Sequence, residues 1–315
     1  MSTIRDVAKL AGVGIGTVSR VLSGNGAVSS KTLLKVNQAM EALNFTPSSA
    51  ARSLVSKKMN TIGIWGTETS GEINRRTLRE MEAELKEFEI HLIFADGELN
   101  SKGNPNASRD SFDSLINKGC DGIIIWGTDL PALEILQIEN EFPNIVLLNN
   151  QIELIDDKCF YFDHYQAGYA CGQHLIDQGH RNIACITGWL ETDDGNQRHQ
   201  GFLSALNDNN VNIPEELIFE GDYTYRKGYE GALSLLKQDK PFTALFCGND
   251  QSAMSAIAAI TNKGLEVPND ISVMGYDDMN IARYTSPPLT TVRIPFNRMA
   301  VSATRCLLNL CYNLE

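Results

Sequence analysis

Residues 4–32 read IRDVAKLAGVGIGTVSRVLSGNGAVSSKT, and the punctuation of this stretch decides how the N-terminus folds. Thr3 and Asp6 have the spacing of a capping box, after which Ile4, Val7, Ala8 and Ala11 recur at helical intervals until Gly12. A second helix is expected from near Gly14, with Val18, Val21 and Leu22 on one apolar face and Gly24-Asn25-Gly26 as its breaker. Ser29 then caps a third helix whose apolar positions are Leu33, Val36, Met40 and Leu43. Two helices joined through a short turn containing glycine make a helix-turn-helix. The second helix presents Ile15, Gly16, Thr17, Ser19 and Arg20 outward. Hydroxyls and a helix N-terminus suit phosphate oxygens, and an arginine can reach a guanine edge in the major groove. The run Gly12-Val13-Gly14-Ile15-Gly16 imitates half of a dinucleotide fingerprint, but a charged helical segment precedes it where that fingerprint needs a strand.

Charge supports a polyanion partner for this end. The chain of 315 residues carries a net −12, yet residues 1–60 hold eight Lys/Arg against two acids, which leaves the remainder at −18. A small basic module joined to an acidic globular part has that asymmetry. With 43% hydrophobic and 21% charged residues, a packed protein is expected. No run approaches the ~18 apolar residues of a membrane span. The first ten residues lack the apolar core of a signal peptide, so no membrane partner and a cytoplasmic location are expected. Seven scattered cysteines without a C-x-x-C pair argue against a disulfide framework and a zinc site.

From Thr61 onward, apolar runs alternate with amphipathic stretches. TIGIW, HLIFA, DGIIIW, NIVLL, CFYF, NIACIT, TALFC and DISVMG read as strands, separated by segments such as REMEAELKEF and DQSAMSAIAAITNKG. That rhythm predicts α/β architecture with parallel sheets, in two similar halves divided near Asn149–Lys158. Nucleophile-elbow, P-loop, metal-binding and kinase signatures are absent, so no catalytic residue, metal ligand or cofactor is assigned and an enzyme is not expected.

The stretch 4–32, followed by LNFTPSSAARSL at 43–54, resembles the DNA-binding headpiece and hinge of the lac/galactose repressor family of bacterial transcription regulators. The resemblance continues through FDHYQAGYACGQHLIDQGHRNIACITG, NQRHQGF, FTALFCGNDQSAMSAIAAI and VPNDISVMGYDDMNIARYTSPPLTTVRIP. It implies an all-α headpiece over residues 1–46, a hinge helix over 47–59, and a periplasmic-binding-protein-like core of two subdomains over 60–315. Within that core, about 60–159 with 290–315 would form one subdomain and about 160–289 the other. Thr3, Thr17, Ser19, Ser23 and Ser29 would contact phosphates, and Arg20 a base. Ile15 and Gly16 stand where the family reads bases with larger or polar side chains, and Gly14 replaces the usual serine cap. Leu54 would wedge into the minor groove.

In the core, Arg198, Asn249 and Asp277 would bond a ligand's polar groups, Asn149 would do so from the other subdomain, and Tyr223 would stack on it. Trp65 and Glu68 follow the first strand and are weaker candidates for the cleft lining. ADGELN, KGCDGIIIW and ARYTSPPLTTVRIP are most similar to the galactose and β-glucoside branch, which makes a galactoside or glucoside the leading effector and a purine or other metabolite the alternative. The partners implied are double-stranded operator DNA, a small-molecule effector and a second copy of the chain. Family members continue past Leu310 into a further strand and sometimes a tetramerisation helix. Without a leucine heptad tail, a dimer is the expectation here.

Overall fold

The computed structural model describes residues 2–23, 28–45, 58–66, 71–96, 107–127 and 130–314. Leu54 and most of the hinge lie outside the described residues, as do Glu68 and the side chain of Ser23.

Three helices open the chain: α1 (Ile4–Ala11), α2 (Ile15–Ser23) and α3 (Ser30–Ala42). The capping box forms as the spacing predicts, with the Thr3 hydroxyl 2.7 Å from Asp6 Oδ2 and the Thr3 amide donating to the same oxygen at 2.9 Å. Gly12 ends α1 at φ +67°, a conformation glycine adopts without cost. Val7, Ala8, Ala11, Val18, Val36 and Ala39 make a core of small and β-branched side chains. Leu33, expected inward, instead stands exposed, because Val36 and Ala39 set the buried face of α3.

A five-stranded parallel sheet follows, ordered β2-β1-β3-β4-β5. Its strands are β1 (Thr61–Gly66), β2 (His91–Asp96), β3 (Gly122–Trp126), β4 (Ile145–Leu148) and β5 (Cys159–Phe160). Three helices alternate with them: α4 (Glu72–Lys86), α5 (Ala107–Asn117) and α6 (Ala132–Glu141). Continuous apolar runs form β1, β3 and β4 because both faces of the sheet are covered. The second sheet, ordered β7-β6-β8-β9, contains β6 (Ile183–Ile186), β7 (Ile218–Phe219), β8 (Ala244–Cys247) and β9 (Ser272–Met274). Its helices are α7 (His164–Asp177), α8 (Asp193–Asp208), α9 (Tyr225–Leu235) and α10 (Asp250–Asn262). The last helix, α11 (Phe296–Tyr312), returns to the first sheet and buries Met299, Ala300, Ala303, Leu307 and Leu308 against Ile62, Ile64, Ile124 and Val146.

The polar run at 149–158 carries a 3₁₀ segment inside the first lobe, and β5 pairs with β4 after it, so the first crossing follows Phe160. The return crossing comes after Arg293, since Thr290 and Arg293 still bridge to Met274 and Asp277 beside the second sheet. Strand β7 escaped notice because two residues carry no periodicity.

Where the chain enters the first lobe, Asp121 gathers three donors. Oδ1 accepts the Met59 amide at 3.0 Å, and Oδ2 accepts the Thr61 amide at 3.2 Å and the Tyr312 hydroxyl at 2.6 Å. Entry point, β3 and the end of α11 are thereby tied to one carboxylate.

Candidate functional site: an exposed helix and an interlobe cleft

On α2, Ile15, Gly16 and Arg20 are exposed, while Thr17 and Ser19 are half-buried. Positions i, i+1, i+4 and i+5 (Ile15, Gly16, Ser19 and Arg20) share a face of a helix, and Val18 is buried on the other side. Arg20 lies back along its helix, its Nε donating to the Gly16 carbonyl at 3.2 Å. Thr3 and Ser29 are already engaged as caps, Thr3 with Asp6 and Ser29 accepting the Thr32 amide at 3.3 Å.

The second site lies at the carboxyl ends of the strands, where helix N-termini converge. Asp163, Thr192, Thr224 and Asn249 cap α7, α8, α9 and α10 through their side chains. Three of the sequence-predicted residues in this region have left-handed backbones: Asn149 (φ +61°) just after β4, Tyr223 (φ +66°) after β7 and Asp277 (φ +112°) after β9. Left-handed backbone is costly for Tyr and Asp, and its presence at strand ends is compatible with a functional site.

Arg198 is its hub. Helices α7 and α8 approach closely because Gly168 and Gly201 lack side chains; a Cβ on Gly168 would stand 2.0 Å from the Arg198 carbonyl oxygen. From that packed position Arg198, 5% exposed, donates to the Gly248 carbonyl and pairs with Asp194 at 3.2 Å. Its guanidinium lies 3.8 Å from the Tyr276 ring centroid and 5.3 Å from that of Tyr223. Burial disfavours the arginine's charge, but Tyr223, Tyr276, Asp194 and Asp277 outweigh it, so its pKa is raised and it stays protonated. Burial likewise pushes the Asp277 carboxyl up to about 8, with Arg198 pulling it back only in part. Near neutral pH that carboxyl is largely protonated, and can donate from one oxygen and accept on the other.

In this cluster Arg198 Nε is buried without a hydrogen-bond partner among the described residues. An unsatisfied buried donor calls for an explanation, and a polar ligand in the cleft is one. Asn249 is placed differently from the expectation of a pure ligand contact. Its Nδ2 donates to the Tyr223 carbonyl at 2.9 Å and its Oδ1 accepts the Ser252 amide at 2.9 Å, so it first holds the Tyr223 loop and caps α10. Trp65 does not line the cleft: it is fully buried, donates to Ser111 at 2.7 Å and packs edge-on against Phe112.

Sequence reasoning passed over His164, Asp250, Tyr276 and Trp189. Asp250 is fully buried and accepts the Met279 amide at 2.7 Å and the Thr291 hydroxyl at 2.6 Å, which shapes the loop carrying Asp277. His164 contacts Tyr276 and Asn149, and Trp189 projects 48% exposed from the strand end after β6. His164, Asp250 and Tyr276 lie inside motifs that were read and Trp189 just beyond one, and strand-end position was the available signal. From the first lobe, Glu72 Oε1 accepts the Asn280 amide across the cleft at 3.1 Å.

Comparison with known proteins finds relatives for both parts of the chain. Residues 3–48 match the family described as bacterial regulatory proteins, lacI family, and residues 173–315 match a periplasmic binding protein-like domain. The HTH-type transcriptional repressor PurR of Photorhabdus laumondii is 36% identical over 315 residues, covering 99% of this chain and 91% of that protein. Among solved structures, the lac repressor dimer bound to operator and the anti-inducer ONPF superposes with a TM-score of 0.87 at 28% identity, covering 99% of this chain and 93% of the other. A sugar-binding transcriptional regulator from Escherichia coli, complexed with phosphate, has 30% identity and a TM-score of 0.73, covering 82% and 92%.

Proposed function

The chain belongs to the lacI family of bacterial regulatory proteins, and from that premise we propose that it is a purine-responsive repressor whose effector sits in the cleft beside Tyr223 and Asp277, with Arg198 and Tyr276 packed behind them. Family membership makes it a DNA-binding transcriptional repressor and not an enzyme. The finer reading rests on one observation, an unpartnered Arg198 Nε beside two tyrosine rings, and burial that favours the neutral form of the Asp277 carboxyl supports it. A protonated carboxyl presents a donor next to an acceptor, which complements the N–H and C=O edge of an oxopurine, and the half-buried Tyr223 ring supplies the stacking surface. The name PurR on the relative of 36% identity points the same way. A galactoside or glucoside is the second reading, supported by the sugar-binding regulator among the structural neighbours and by the half-exposed Trp189 at the rim.

On this reading the effector is a corepressor that favours the operator-binding state, acting in the cytoplasm on a homodimer. Arg20 reads a base, Ile15 gives apolar contact, Gly16 allows close approach, and Thr3, Thr17, Ser19, Ser23 and Ser29 face phosphates. Leu54 wedges the minor groove from a hinge over 47–59. The headpiece is 1–46, and the core lobes exchange chain near Phe160 and after Arg293. Trp65 and Trp126 are buried, so Trp189 dominates any ligand-induced change in fluorescence. Titration of the full chain with hypoxanthine and guanine, beside cellobiose and a β-galactoside, tests the effector. Quenching and thermal stabilisation by the purines alone are expected. A response to a sugar alone would replace the purine reading.

A further inference from the structure

We propose that His164 is the positioning residue that joins the lobes, its imidazole holding Tyr276 of the second lobe on one nitrogen and Asn149 of the first lobe on the other. Its Nδ1 lies 2.9 Å from the Tyr276 hydroxyl and its Nε2 lies 2.9 Å from Asn149 Oδ1. The direction of both bonds follows from chemistry. Arg198 sits over the Tyr276 ring at 3.8 Å, and a cation there makes the phenol a stronger donor. The hydroxyl therefore donates to Nδ1, leaving Nε2–H to donate to Asn149 Oδ1. Burial and then Arg198 hold the imidazole pKa down to about 4, against Asp194 and Asp163, so this neutral form persists at pH 7.

Both ends of the link are anchored. Asn149 follows β4 directly, and its amide donates to the Phe160 carbonyl of β5 at 2.8 Å. At the other end, Tyr276 is fully buried and its carbonyl accepts the Asp250 amide at 2.8 Å. Phe162 packs edge-on to His164 at 5.5 Å and touches the cores of both lobes. Rotation of one lobe against the other thus loads the bond that orients Tyr276, and Tyr276 in turn supports Arg198. The link uses the cleft but not the identity of what fills it, so the purine reading and this inference fail separately.

Two variants of the full chain split the link, because an asparagine oxygen falls near the Nδ1 position and a glutamine amide near Nε2. His164→Asn keeps an acceptor for Tyr276 and drops Asn149; His164→Gln keeps a donor to Asn149 and drops Tyr276. Amide hydrogen exchange without added ligand is read at residues 149–151 and 275–278. His164→Asn and Asn149→Ala are both expected to speed exchange at 149–151 by roughly fivefold or more, and the double variant no further. His164→Gln is expected to speed only the second segment. Additive effects, or unchanged exchange at 149–151 in His164→Asn and Asn149→Ala alike, would overturn the proposal. Asn149→Ala, at a half-buried position, keeps the test decisive should either His164 variant fail to fold. Nitrogen NMR of the imidazole is expected to show the Nε2–H form at pH 7; the Nδ1–H form would overturn the assigned direction.

Discussion

In the headpiece, Ile15, Gly16 and Arg20 are exposed on a helix whose inner side is held by Val18, so the surface that meets a partner is distinct from the surface that holds the fold. In the cleft the two coincide. Arg198 is buried, packs against α7 through Gly168, stacks on Tyr276 and anchors the Gly248 turn, and the same guanidinium keeps an unpartnered nitrogen. A recognition helix can vary its outward residues at little structural cost, whereas a pocket made from core residues cannot change its ligand without repacking. Operator specificity and effector specificity are therefore expected to respond differently to substitution.

Arg198→Ala should cause the largest effect. It leaves Asp194 without its ion-pair partner, the Gly248 carbonyl without its donor and a void against Tyr276, and loss of one partner from such a cluster costs on the order of 3–5 kcal/mol. Denaturant unfolding should show the second lobe destabilised along with loss of effector response; full stability with lost response would mean that pocket and core are separable after all. Acid comes next. The His164 pKa is about 4 in the fold and near 6.5 when unfolded, so the unfolded chain binds more protons between those values. Stability on this account is complete above pH 6.5 and falls by about 3 kcal/mol as the pH drops to 4. Calorimetry of the wild type against His164→Gln should show that dependence weakened in the variant.

Arg20→Ala, on the headpiece side, should cost about 1–3 kcal/mol of operator discrimination and leave salt-dependent nonspecific binding, with the unfolding temperature unchanged. A drop in stability there would blur the comparison. Thr3→Ala should give the smallest effect, about 1 kcal/mol of headpiece stability, because its hydroxyl is tied to Asp6 in the cap. If binding falls further than stability accounts for, Thr3 also contacts phosphate.

Local signals made the headpiece legible. Capping at Thr3 and Ser29 and the stop at Gly12 are decided within a few residues, and the structure reproduces them. Leu33 was misread because a three-turn helix shows two nearly equivalent apolar stripes, and only contact with α1 chooses between them. In the core, β1, β3 and β4 were plain from their apolar runs, while β7 was not. A two-residue strand has no sequence period. Arg198, Tyr223, Asn249 and Asp277 came from family motifs, and the structure gathers them at one set of strand ends. Nothing local announced that Asn249 would spend its amide on the Tyr223 carbonyl, nor that His164 would reach Asn149 and Tyr276.

By itself the sequence determined the helix-turn-helix, the alternating α/β core and the charge contrast between them, because helix caps, hydrophobic period and net charge are properties of neighbouring residues. Tertiary structure alone decided the state of the cleft. Whether Asp277 carries its proton, which nitrogen of Arg198 stays unpartnered and which lobe His164 holds depend on groups brought together from distant parts of the chain, and on the loss of water between them.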